Sequence, residues 1–126
     1  MLGNTDLSAN VAVKDLDRAK AFYEDVLGLT PSGGQADELV AYRSGSSTLS
    51  VYRSEFAGTN KATAVTWEVA DVDAEVRELK GKGVAFERYD MDGMRMEGDV
   101  HVAENGGMRV AWFKDPDGNI LNLIQA

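Results

Sequence analysis

The stretch Val11–Leu29, VAVKDLDRAKAFYEDVLGL, is met again in altered form at Trp67–Val84, WEVADVDAEVRELKGKGV, and this pair decides the fold. Val13 and Val69, Asp15 and Asp71, Leu16 and Val72, and Asp17 and Asp73 match at one constant offset, and Gly28 meets Gly83 after a slip of a single residue. Each copy reads as a strand, an Asp-initiated helix and a Gly-stopped return to extended chain. Asp15 and Asp71 can accept from the free amides of a first helical turn, and their charge suits its positive end. Ala19, Phe22, Tyr23, Val26 and Leu27 form a helical stripe in the first copy, while Val72, Val76 and Leu79 form a shorter one in the second. Each helix therefore has one face to bury.

Outward from these copies the chain alternates as strands do. Leu39–Arg43 and Thr48–Arg53 follow the first helix, and Val84–Tyr89, Met108–Lys114 and Asn119–Gln125 follow the second. The segments RSGSS (Arg43–Ser47) and DPDG (Asp115–Gly118) are turns, the latter with the Asp, Pro and Gly placement of a type I turn. Met91–Gly107 is expected as a long polar segment ahead of the penultimate strand. The α+β order of strand, helix and several strands thus occurs twice, once over about 6–53 and once over about 63–125.

Composition narrows the function. The chain of 126 residues is 44% apolar, enough for one domain with a real core, and carries a formal charge of −8. An acidic chain without a Lys/Arg cluster does not suit a nucleic-acid partner. The absence of Cys removes disulfides, thiolate nucleophiles and Cys-based metal sites. No segment has the length and apolarity of a membrane span or the pattern of a signal peptide, so a soluble, cytoplasmic protein is expected.

The order of elements, with DLDRAKAFYEDVLGL in the first half and FKDPDGNILNLIQ at the end, resembles the vicinal oxygen chelate superfamily of glyoxalase I, bleomycin resistance proteins, fosfomycin-modifying enzymes and extradiol dioxygenases. The resemblance implies two tandem βαβββ modules whose sheets curl around a shared cavity, and a homodimer. It also implies where ligands of the metal-dependent members would stand. Two positions open the modules, at Ser8 and at Ala64, which precede Val13 and Val69 by the same interval; two lie in the closing strands, at Ser50 and Asn122. None of the four offers an imidazole or a carboxylate, so no metal and no other cofactor is expected.

Strand alternation then turns Asn10, Thr66 and Glu68 to the same side as Ser8 and Ala64, with Tyr52 and Ile120 beside Ser50 and Asn122, and Trp112 a further candidate. The polar Asn122 in the apolar run ILNLI is explained if it faces a ligand. The single histidine, His101, sits among Glu97, Asp99 and Glu104 and reads as a solvated loop residue before it reads as a relocated metal ligand or general base. The spacing of Asp90–Asp99 does not make a calcium loop. The function expected is metal-free binding of a small organic molecule, with a cationic ligand suited to the net charge and antibiotic sequestration as its finer form. The alternative is a lyase, isomerase or dioxygenase-type enzyme using Glu68 or His101 as acid or base.

Overall fold

The computed structural model describes residues 1–33 and 38–126, which divide into two compact units: 1–59 with 116–119, and 60–115 with 120–126. The fold is mixed α+β, with two sheets and few helices. None of the described helices is long and apolar enough to cross a membrane.

In the first unit β1 (Ser8–Val13) leads to α1 (Leu16–Lys20), followed by β2 (Thr30–Pro31), β3 (Leu39–Ser44) and β4 (Ser47–Arg53), in the sheet order β1-β4-β3-β2. Asp15 caps α1 by accepting from the amides of Asp17 (2.9 Å) and Arg18 (3.2 Å). The stripe from Ala19 to Leu27 is not one regular α-helix as expected: Ala21–Val26 winds as a π-helix, closed by the Leu27 amide on the Phe22 carbonyl. The wider turn buries Tyr23 fully but leaves Phe22, Val26 and Leu27 partly exposed. Tyr23 stacks on Tyr42, whose hydroxyl donates to Glu24 Oε2 at 2.7 Å. Burial first, then the Glu24 carboxylate, push the Tyr42 phenol well above its usual range, so it remains a donor.

The second unit holds β5 (Thr63–Glu68), α2 (Val72–Gly81), β6 (Phe86–Glu87), β7 (Met94–Glu97), β8 (Val100–Ala103), β9 (Arg109–Lys114) and β10 (Ile120–Gln125). Its sheet runs β5-β10-β9-β8-β7, with β6 beside β9. Asp71 caps α2 through the Ala74 amide (3.1 Å), and Gln125 Oε1 accepts from the Val72 amide (2.8 Å), tying the helix start to the last strand. Both helical stretches stop at glycines of positive φ, Gly28 (76°) and Gly83 (94°), a backbone state that costs any other residue strain.

Met91–Gly107 is not simply polar connection. It contains the β7–β8 hairpin, in which Val100 and Val102 are buried on one face and His101 on the other. On the helix side, Val72, Val76 and Leu79 meet the core formed with Ala111, Phe113, Leu121 and Leu123, where Trp67 stacks on Phe113 and Phe86 meets it at a tilt. Arg109 ties α2 to β7 by pairing with Asp73 (2.9 Å) and Glu97 (3.1 Å). Hydrogen bonds from Arg109 and then Arg95 hold the Glu97 carboxyl below its usual range.

Candidate functional site

The parallel pairings identify corresponding positions in the two units. In the first, Asn10 faces Ser50, Ser8 faces Thr48 and Ala12 faces Tyr52; in the second, Thr66 faces Asn122 and Glu68 faces Ile124. The repeat offset carries Asn10 onto Thr66, so the register makes Ser50 and Asn122 equivalent. Since Val11, Val13, Leu49 and Val51 occupy the buried face, alternation turns Ser8, Asn10, Ser50 and Tyr52 to the opposite one. There Ser8 and Asn10 are exposed, Ser50 is half-buried and Tyr52 is 38% exposed.

The corresponding face of the second unit is more closed. Asn122 is only 5% exposed, and its Oδ1 has no hydrogen-bond partner among the described residues. Trp112 is its direct partner on β9. The Trp112 Nε1 donates to Thr63 Oγ1 at 3.1 Å, so the indole crosses the row of β10 to reach β5. Ile120, Thr66 and Glu68 complete this face, the last two exposed. Ala64 is exposed at an irregularity: Ile120 pairs with Thr63 and Leu121 with Val65, leaving Ala64 between the paired positions.

His101 is neither solvated nor in a loop. It lies on β8, fully buried, because the Val-His-Val alternation of Val100–Val102 sends it to the face of Val110 and Trp112. The Tyr89 amide donates to His101 Nε2 at 2.9 Å. In a neutral imidazole that bond assigns the proton to Nδ1, an atom buried without a partner among the described residues. His101 and Trp112 meet edge-to-face at 4.8 Å between ring centroids, and Tyr89 closes the cluster against Trp112 at 5.4 Å. Sequence reasoning missed Tyr89, whose contribution is a backbone amide and a ring edge.

This arrangement limits the chemistry. The donor set at Ser8, Ser50, Ala64 and Asn122 does not fit the divalent metal used by metal-dependent vicinal oxygen chelate proteins: two hydroxyls, one amide and a methyl provide no anionic or imidazole ligand. Nor does His101 replace them, since its Nε2 lone pair is taken by Tyr89, and no three of His, Asp and Glu gather as a metal group among the described residues. Glu68 and His101 are not an acid–base pair. They stand on β5 and β8, three strand spacings or roughly 14 Å apart. Two open concavities of about 350 and 460 Å³ in the first unit share Lys14, Glu38 and Arg53, and none of the expected site residues lines them.

A family model described as the Glyoxalase/Bleomycin resistance protein/Dioxygenase superfamily matches residues 7–123. Comparison with curated proteins finds no match. Among solved structures, a lactoylglutathione lyase from Agrobacterium tumefaciens is similar over 98% of this chain and 94% of that one, with a TM-score of 0.71 and 18% identity. A fosfomycin resistance protein from Listeria monocytogenes is similar over 95% and 91%, with a TM-score of 0.70 and 14% identity. An antibiotic binding protein from a Streptomyces species is similar over 97% of each chain, with a TM-score of 0.63 and 21% identity. At these identities the likeness is one of fold.

Proposed function

The chain belongs to the glyoxalase/bleomycin resistance protein/dioxygenase superfamily, and on that premise we propose that it is a metal-free binding protein for a small organic molecule. The observation that carries this reading is Asn122: a buried amide whose oxygen is unpaired among the described residues, beside an aromatic wall, at the position where a metal-dependent relative would offer a carboxylate. A polar group left unpaired against apolar surroundings is what orients a ligand in a small-molecule site, while Trp112 and Ile120 supply contact area. On the first unit, considered by itself, Ser8, Asn10, Ser50 and Tyr52 make the corresponding face, polar with one aromatic. Glu68 on the second unit, with the net charge of −8, favours a cationic ligand. Antibiotic sequestration is the finer form of this proposal, supported by the fold likeness to an antibiotic binding protein. For the enzyme reading, His101 has one nitrogen committed to Tyr89 and Glu68 stands three strands from it, so either would act without the other; the fold likeness to a lactoylglutathione lyase does not favour this reading, because the four metal-ligand positions hold no imidazole or carboxylate here.

A thermal-shift screen followed by two substitutions tests the reading. Asn122→Leu should weaken a hit by about 1–3 kcal/mol, as expected when a ligand donor loses its acceptor. The fold should lose little, since the substitution also removes an unpaired oxygen. Glu68→Gln should weaken a cationic hit and leave a neutral one alone. An Asn122→Leu variant that melts much earlier yet binds as before would assign Asn122 a structural role.

Elemental analysis provides a separate check, with no stoichiometric zinc, nickel, iron or manganese expected in the purified protein. About one metal per chain, lost in His101→Ala, would move the reading to an enzyme.

We also propose a homodimer. Strands β1 and β5 each end a sheet, and exposed strand edges are commonly covered by two-fold pairing. Sedimentation at tens of micromolar should give twice the chain mass of 13.6 kDa, and a monomer would overturn this expectation.

A further inference from the structure

Two of the buried polar atoms without a partner among the described residues lie on the same face of the second unit, on the strands flanking Trp112. His101 Nδ1 is on β8 and Asn122 Oδ1 is on β10. One is a donor and the other an acceptor, since the Tyr89 amide on His101 Nε2 leaves the imidazole proton on Nδ1. The third such atom, Arg109 Nε, belongs to the opposite face, where the other guanidinium nitrogens already serve Asp73 and Glu97. The His101 and Asn122 atoms are thus complementary to a molecule that accepts at one end and donates at the other.

Between them stands Trp112. Its indole meets His101 edge-to-face, shares a rung with Asn122, and is tethered beyond β10 by its bond to Thr63 Oγ1 at the exposed edge strand. Resting on the binding function proposed above, the geometry points to Trp112 as a hinged cover over a slot whose polar ends are His101 Nδ1–H and Asn122 Oδ1. Breaking the Thr63 bond frees the indole to rotate, and a flat ring system takes its place between the two strands. The two residues lie two strand spacings across and two residues along the sheet from each other, roughly 12 Å between backbones, which suits a body of two or three fused rings with a hydrogen bond at each end. The ligand class is therefore a fused-ring aromatic with a carbonyl acceptor at one end and a hydroxyl or N–H donor at the other. Charge is not required for this recognition; Glu68 would add to it only for a cationic member of the class.

The chain has a single histidine, so protein labelled with ¹⁵N-histidine gives the ring signals of His101 alone. The probe is 7-hydroxycoumarin, which has both the acceptor and the donor; coumarin lacks the donor and 2-naphthol lacks the carbonyl. Binding of 7-hydroxycoumarin should shift the Nδ1–H resonance and, in a Trp67→Phe background, open Trp112 fluorescence to acrylamide quenching. Coumarin and 2-naphthol should each bind about tenfold more weakly, the effect of one unmatched hydrogen bond. Thr63→Val should tighten 7-hydroxycoumarin several-fold by raising the fraction of chains with the cover open. The inference is overturned if 7-hydroxycoumarin does not bind at millimolar concentration, if the three probes bind alike, if the His101 signals do not move at saturation, or if Thr63→Val leaves the affinity unchanged. A different compound from the thermal-shift screen that binds with Asn122 dependence but leaves His101 unmoved would overturn the slot and keep the binding function. Failure of the whole screen would remove both.

Discussion

Gly58→Ala should lower the melting temperature by roughly 10 °C, the largest effect expected of any single methyl group added to this chain. Gly58 has φ 75°, and a Cβ there would stand 2.1 Å from the Asp117 carbonyl oxygen. The backbone strain alone costs about 1–2 kcal/mol, and the clash adds to it unless one of the two segments retreats. The turn is not free to do so. Asp117 accepts from the Lys14 amide and from Arg18, Arg18 also donates to the Pro116 carbonyl, and Asn119 Nδ2 donates to the Ala12 carbonyl at 2.7 Å. The turn 116–119 is thereby fastened to the end of β1 and the start of α1. Gly45→Ala is the control: it has a positive φ of 59° with nothing within 4 Å of the added carbon, and should cost only the strain. Equal melting temperatures for the two variants would show that the turn does not hold Gly58 at close range.

That turn also marks the limit of what the sequence shows. The Asp-Pro-Asp-Gly order identifies a turn from local preference alone, and the turn is there. Its attachment to the first unit depends on bonds to Lys14, Arg18 and Ala12, roughly a hundred residues away, for which no local pattern exists. The helix caps at Asp15 and Asp71 were legible for the opposite reason, since a cap is made by a side chain and amides within three residues of it. The same contrast runs through the site. The equivalence of Ser50 and Asn122 is readable on paper by laying STLSVYR over NILNLIQ, and the strand registers agree, pairing Ser50 with Asn10 and Asn122 with Thr66, which the repeat offset relates. The π-helical turn at Ala21–Val26 was hidden, because its apolar spacing also suits an ordinary helix and the choice falls to the packing of Tyr23 on Tyr42.

The placement of His101 was legible in principle. Asp99, Glu97 and Glu104 around it suggest a solvated stretch, but the immediate neighbours Val100 and Val102 alternate as a half-buried strand does, and that shorter pattern governs. The consequence can be measured. His101→Ala should destabilise the protein by about 2–3 kcal/mol, because it opens space beside Trp112, removes the acceptor of the Tyr89 amide and ends the edge contact with the indole. Loss of the unpaired Nδ1 offsets part of this cost, which keeps the expected value below that of the largest core truncations. His101→Gln should recover part of the loss if its side-chain oxygen takes over from Nε2 as the acceptor for Tyr89. Glu104→Ala, at an exposed position three residues on, should stay within about 0.5 kcal/mol of the parent in the same denaturant titration. Were His101→Ala to fall in that narrow range as well, the imidazole would be contributing nothing to the packing of β8 against Trp112, and the tautomer assigned through Tyr89 would lose its basis.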